Sequence, residues 1–278
     1  MRISVGSSAS TSTASSEPKT QTDRHLRLQF EYTTQVDFSP AVGRHNLLLR
    51  CLPAKEAFQR VCREDFSISE GFVARESHDG LGNRIVTTHT GEMHRQVKYS
   101  CRGVVETTTY CLPDSNPHPM FSQASRLTAV TRDMDCLLPP LTGDRLKDSL
   151  QIAHAVHQHI VYTPGVTGML TTAEDVFRHR KGVCQDYAHL MIALCRRAGI
   201  SARYVCGLMQ GEGQTHAWVE VHDGQCWYAL DPTNDMAVAT GYIKLAHGRD
   251  ASDCPVNRGV YLGVSQEHTH IYVMVKEI

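Results

Sequence analysis

The sequence predicts an α+β protein in which a β-sandwich-like half precedes a half built from helices followed by antiparallel strands. Three observations carry that expectation. Apolar residues alternate with polar ones between about 25 and 130, with turn residues between the runs and no helical period. After Pro139, Pro140 and Gly143 the apolar spacing changes to three- and four-residue steps. Beyond Gly199 the alternation returns, broken by an Asp223-Gly224 turn signal. The expected organisation is a tail over 1–24, a β-rich domain over 25–135 and a second domain over 140–278.

Taken in order, the first 24 residues are rich in Ser and Thr and nearly free of large apolar side chains, which predicts a flexible tail without the apolar core of a signal peptide. Leu26, Leu28 and Phe30 alternate with polar residues. Leu47 to Leu52 is a short apolar run, and Val97, Tyr99 and Cys101 alternate again. Asp79, Gly80, Gly82 and Asn83 supply turn chemistry between the runs. In the second half Leu146, Leu150, Ala153, Val156 and Ile160 predict an amphipathic helix over 144–161, closed by Pro164 and Gly165. Thr172 and Asp175 form a capping pair for a short second helix. A third helix is expected over 184–198, ending at Gly199. Strands follow at about 201–209, 215–222, 225–231 and 269–276.

The chain has 278 residues, 41% of them hydrophobic and 21% charged, with a formal net charge of −1. That balance gives no electrostatic reason to expect nucleic acid or an anionic membrane as a partner. No stretch approaches the roughly 20 continuous apolar residues of a membrane span. Ten cysteines are scattered without a CxxC pair, so they read as small buried hydrophobes in a reducing compartment. The expected location is the cytoplasm. Sixteen histidines are present, and His154, His157 and His159 share one helix. No carboxylate or cysteine accompanies them at ligand spacing, so neither a metal nor a cofactor is expected.

Two local features carry chemistry. If Asp223 and Gly224 are the two loop residues of a hairpin, His222 faces Gln225 and His216 faces Asp231. Such partners have Cβ atoms about 5 Å apart on one face. A carboxylate would then orient an imidazole and stabilise its protonated form. Trp218 and Trp227 share that face, while Ala217, Val219, Val221, Cys226, Tyr228 and Leu230 form the opposite, core-like face. Cys184 begins the third helix, where the macrodipole and unpaired N–H groups favour a thiolate and could hold an oxyanion. Gly182 leaves room for a substrate backbone.

The segment GVCQDYAHLMIALCRRAGISARYVCG, then THAWVEV, then WYALDPTND, resembles the core of bacterial transglutaminase-like proteins. That family carries a GVCxDxA nucleophile segment, a HAW histidine and a DPT aspartate in this order, which here fall on Cys184, His216 and Asp231. YTPGVTGMLTTAEDVF upstream and GRDASDCPVNRGVYLG downstream fit as well, although Ala251 stands where an aromatic is expected. The clear resemblance covers about 160–265. Asp79, Gly82 and Asn83 resemble the β-rich domain that often precedes this core. The resemblance implies a papain-like fold, with the nucleophile at a helix N-terminus packed on an antiparallel sheet. It also implies acyl transfer or hydrolysis on glutamine carboxamide or peptide carbonyls through a thioester, with a protein or peptide substrate and, for transfer, a primary amine acceptor.

Three further residues are candidates with ordinary alternatives. Tyr162 could donate to an oxyanion or simply end a helix. Gln185 could lie near the reacting carbonyl or face solvent. Trp218 could wall an acyl-donor cleft or cover the hairpin. Asp186 sits in the first helical turn, where acidic residues are favoured anyway. The competing functions are a non-catalytic peptide- or protein-binding module on the same fold, and a coenzyme A-dependent acyltransferase, for which no ligand cue is present.

Overall fold

A computed structural model describes residues 25–278, so the tail expected over 1–24 lies outside the described residues. The strands of the first half are β1 (Leu26–Leu49), β2 (Gln59–Ile68), β3 (Val73–His78), β4 (Arg84–Thr90), β5 (His94–Thr107) and the short β6 (Leu112–Pro113). The second half contains α1 (Arg145–His159), β7 (Val161–Tyr162), α2 (Ala173–His179), β8 (Lys181–Gly182), α3 (Cys184–Arg197), β9 (Ala202–Met209), β10 (Gly211–Gly213), β11 (His216–His222), β12 (Cys226–Asp231), β13 (Met236–Ala237), β14 (Tyr242–Gly248), β15 (Asn257–Leu262) and β16 (Gln266–Glu277).

The long strand β1 organises the β-domain because it serves two sheets. Its first part pairs with β5 on one side and β16 on the other. Past a register shift between Asp37 and Val42, its second part pairs with β4 and β15. Of the alternating residues Leu28 and Phe30 are buried and Leu26 partly so, and with Tyr32 they pack with Leu47, Leu49, Val97 and Tyr99. This domain precedes an α+β core of helices and antiparallel strands, as expected.

In that core the sheet order is β13-β12-β11-β9-β14. Helix α3 lies on one face. Its Leu190, Met191 and Leu194 pack against Ala217, Val219, Val221 and Leu230, the face assigned to the core by alternation. Asp144 caps α1 through Lys147 N–H, and the Thr172–Asp175 capping box of α2 is closed in both directions. The opposite sheet face is covered as well. Phe58, Tyr110, Leu112 and Phe121 pack there on Trp218 and Trp227.

Two expectations fail. The last strand, expected within the second domain, lies in the sheet of the first. β16 pairs along β1 from Leu28–Glu277 to Ser39–Gln266, and β15 pairs with the distal part of β1. Alternation shows that a segment is a strand but not which edge it joins, so the return of the C-terminus to the first sheet left no local mark. The hairpin register also differs. Val219 faces Leu230 and His222 faces Trp227, so the loop residues are Gly224 and Gln225. Asp223 stands before the loop because its carboxylate accepts from Gln225 N–H at 2.7 Å and Cys226 N–H at 2.8 Å. The shift is by two residues, so every side chain keeps its predicted face.

The two halves are joined by buried polar contacts. The Asp79–Asn83 turn docks on β14, where Asn83 accepts from His247 N–H and donates to its carbonyl, both at 2.8 Å. Asp79 holds that turn by accepting from Leu81 and Asn83 N–H. Deeper, the fully buried Glu220 is paired with Arg203 and with Lys244, whose Nζ lies 2.8 Å from it, and accepts from the Tyr110 hydroxyl. Burial alone would raise the Glu220 pKa, but the two cations hold it well below the ordinary carboxylate range. Lys244 also reaches Glu56 of the first half at 3.2 Å. Among the described residues no helix is long and apolar enough to cross a membrane.

Removing one partner of a buried ion cluster strands the other charge. Lys244→Ala should therefore lower the unfolding free energy by about 3–5 kcal/mol in a denaturant titration. Arg60→Ala, which breaks the exposed pair with Glu106, should leave the transition nearly unchanged in the same assay.

Candidate active site

The site lies at the start of α3, where three local features meet. The short parallel pair β7–β8 sets Val161 opposite Lys181 and Tyr162 opposite Gly182, bringing Tyr162 beside Cys184. Cys184 is the first residue of α3 and is half-buried. Asp186, one turn in and fully buried, accepts from Val183 N–H and from the Thr167 hydroxyl, both at 2.7 Å. Burial outweighs these bonds and pushes its pKa up. Gly182 was expected to make room for substrate, but its role is internal. A Cβ there would lie 2.6 Å from the Asp186 side chain, so glycine admits the capping carboxylate.

His216 begins β11 and Asp231 ends β12 on the same sheet face. With the observed register they are diagonal rather than direct neighbours, and the imidazole spans the difference. His216 Nε2 lies 2.7 Å from Asp231 Oδ2. Asp231 is fully buried yet saturated. It accepts from Thr233 N–H (2.9 Å), Asn234 N–H (3.2 Å), the Asn234 side-chain amide (2.7 Å) and the Tyr242 hydroxyl (2.9 Å). Burial would raise its pKa, but the His216 contact and these donors hold it below the usual carboxylate value.

The same pairing acts on His216. Burial pushes the imidazole pKa down, but hydrogen bonds to Asp231 and Cys184, with their charges, outweigh it and raise it to about 9. With Nε2 committed to the carboxylate, Nδ1 is the nitrogen left for the thiol. Cys184 and His216 line one cleft of about 590 Å³, with Tyr162, Pro164 and Val183 on one wall and the stretch from Met209 to Thr215 on the other.

Residues 141–232 match the Transglutaminase-like superfamily, and residues 28–106 match the Bacterial transglutaminase-like N-terminal region. The chain carries a transglutaminase-like core preceded by a bacterial transglutaminase-like N-terminal region. It is 38% identical over 112 residues to an uncharacterized protein of Mycobacterium leprae, a match covering 37% of this chain and 40% of that protein. It is 33% identical over 150 residues to a protein-glutamine gamma-glutamyltransferase of Pseudomonas aeruginosa, covering 43% of this chain and 22% of that one. The chain thus spans less than half the length of these relatives. A candidate cysteine protease from Cytophaga hutchinsonii has the same fold, with a TM-score of 0.72 over 92% of this chain and 91% of that one at 22% identity.

Of the other candidates in this transglutaminase-like site, Tyr162 is exposed and lines the cleft next to Cys184. Gln185 is not among the residues lining the cleft, and its amide donates to Gly168 O at 3.4 Å. Trp218 does not wall the cleft. It is fully buried beneath the His–Asp pair, with its ring 6.3 Å from His216 and edge-on to Tyr242 at 5.3 Å. Gly207 makes room for it, since a Cβ there would lie 2.3 Å from the indole. Asn234 and Tyr242 escaped the sequence reading. Asn234 had a signal in the DPTND turn, where an Asx residue can return to the preceding carboxylate. Tyr242 had none.

The α1 histidines act on the same turn. His154 Nδ1 lies 2.6 Å from Asp235, and His157 Nδ1 lies 3.1 Å from Thr233 O. Among the described residues no group of three or more His, Cys, Asp or Glu is arranged to hold a metal ion.

The His216 shift sets a pH dependence. Its folded-state pKa of about 9 lies above the ordinary 6.5, so the stabilisation it supplies is complete below about 6.5 and is lost as pH rises through about 9. Unfolding free energy in urea should fall across that window, and His216→Ala should flatten the fall.

Proposed function

We propose that this protein is a cysteine-dependent acyl-transfer enzyme acting on glutamine carboxamide or peptide carbonyl groups, with Cys184 as nucleophile, His216 as acid and base, and Asp231 orienting His216. The observation that carries this reading is the imidazole of His216, tied to a buried carboxylate at 2.7 Å through one nitrogen and lining the same cleft as Cys184. That is the arrangement of nucleophile, base and orienting group required for thiol catalysis.

The residues suit two half-reactions. Cys184 Sγ, its proton carried by His216, attacks the carbonyl carbon. The carbonyl oxygen takes the negative charge beside the N–H groups that open α3, with the Tyr162 hydroxyl as a second candidate donor. The imidazolium then protonates the nitrogen of the leaving ammonia or amine, the C–N bond breaks, and a thioester remains on Cys184. In the second half, His216 removes a proton from water or a primary amine. That nucleophile attacks the thioester, and the thiol leaves with the proton returned by His216. Asp231 stays ionised throughout, because its four other donors hold it so.

Glutamine-containing peptides incubated with and without an added primary amine test this by mass spectrometry. Deamidation adds about 1 Da, cleavage gives two fragments, and transfer gives an amine adduct. Any of the three should appear with the wild-type protein and vanish with Cys184→Ala, whose melting temperature should stay within a few degrees of the parent. Product formation unchanged by Cys184→Ala would refute the assignment. A limiting amount of iodoacetamide should modify Cys184 ahead of the other nine cysteines, five of which are buried.

A further inference from the structure

The segment that lines the cleft with Tyr162, Pro164 and Gly165 also carries exposed apolar side chains outside the cleft, which the chemistry does not use. Over ten residues Val161, Tyr162, Val166, Met169 and Leu170 are 64, 54, 52, 82 and 66% exposed. These residues lie on and just after β7, and Tyr162, Pro164 and Gly165 of the same segment line the cleft itself. Water-facing apolar groups scattered singly are ordinary, but five within ten residues of a segment that lines a site mark a contact surface.

The segment is held in place rather than frayed. Thr163 N–H donates to Gly182 O at 2.8 Å, and the Thr167 hydroxyl donates to Asp186 at 2.7 Å. Gln185 reaches Gly168 O, Gly168 N–H donates to the Thr171 hydroxyl at 2.9 Å, and Thr171 N–H returns to Gly168 O at 3.1 Å. The Thr172–Asp175 capping box then leads into α2. The apolar side chains are thus presented outward by a loop anchored to the helix that carries the nucleophile.

The opposite wall differs. Gly211 and Gly213 leave open space where side chains would stand, so an extended backbone can approach. Glu212 is the one acidic residue of the cleft lining, and no Lys or Arg lines it. Nothing there would balance an acidic substrate segment.

We propose that the acyl donor is a polypeptide segment with apolar, non-acidic residues flanking its reacting carboxamide, and that Val166, Met169 and Leu170 select it. The proposal rests on the acyl-transfer reading for its chemistry but not for its binding surface, so the test separates the two. Two fluorescein-labelled peptides share a central glutamine, one flanked by Leu and Phe and the other by Ser. Their binding to the Cys184→Ala protein is followed by fluorescence anisotropy, which needs no turnover. The apolar peptide should bind at least about ten-fold more tightly. In Cys184→Ala carrying Met169→Ser and Leu170→Ser, the ratio of the two affinities should fall to within about two-fold. Both positions are exposed, and a melting curve confirms that the variant is folded. A ratio near one in the parent, or one that survives the double substitution, overturns the proposal. A retained preference in binding with no product from either peptide in the wild-type protein would instead refute the acyl-transfer reading alone.

Discussion

A carboxylate cannot be left ionised in a protein interior unless its oxygens are satisfied, and Asp231 is the place where this molecule meets that constraint. One oxygen takes two backbone N–H groups of the turn that follows it. The other takes His216, the Asn234 amide and the Tyr242 hydroxyl. Much of the core can be read outward from these contacts. The 231–235 turn is fixed by His154 and His157 from α1, Tyr242 comes from β14, and Trp218 packs beneath His216 and Tyr242. Helix, hairpin and edge strand are all recruited to hold one charge. That charge helps raise the pKa of an imidazole that lines one cleft with Cys184.

The β-domain contributes to the same arrangement from behind. The sheet face that bears the His–Asp pair would otherwise be wet. Phe58, Tyr110 and Phe121 close it, and the Glu220–Arg203–Lys244 cluster satisfies the charges trapped underneath. The C-terminal strand β16 binds β1 on one side and β10 on the other, so the far wall of the cleft is continuous with the first sheet. The two halves therefore build the cleft together, which gives the preceding domain a structural reason to accompany this core.

Much of this was legible in the sequence, and what was not has physical causes. Helices α1, α2 and α3 announced themselves by period and caps, and strands β9, β11 and β12 by alternation. The shared face of His216 and Asp231 survived an error of two residues in register, because side-chain direction in a strand depends only on parity. The register itself was missed because Asp223 serves as a turn cap, a role its side chain takes only in three dimensions. The partner of β16 and the place of Tyr242 depend on contacts far apart in sequence, and no local pattern records them. Trp218 and Gly182 carried the right chemistry for a substrate wall and a substrate opening, yet both are consumed by internal packing.

The central claim is that Asp231, His216 and Cys184 act as one coupled unit. The most direct test is the rate at which iodoacetamide alkylates Cys184 in the native protein at neutral pH, compared among the wild type, His216→Ala and Asp231→Ala. The coupled arrangement predicts a fall of at least about ten-fold in both variants, since the nucleophilic thiolate is sustained by an imidazolium that the carboxylate holds in place. Equal rates in all three proteins would mean that the thiol behaves independently of the pair beside it, and would contradict the account.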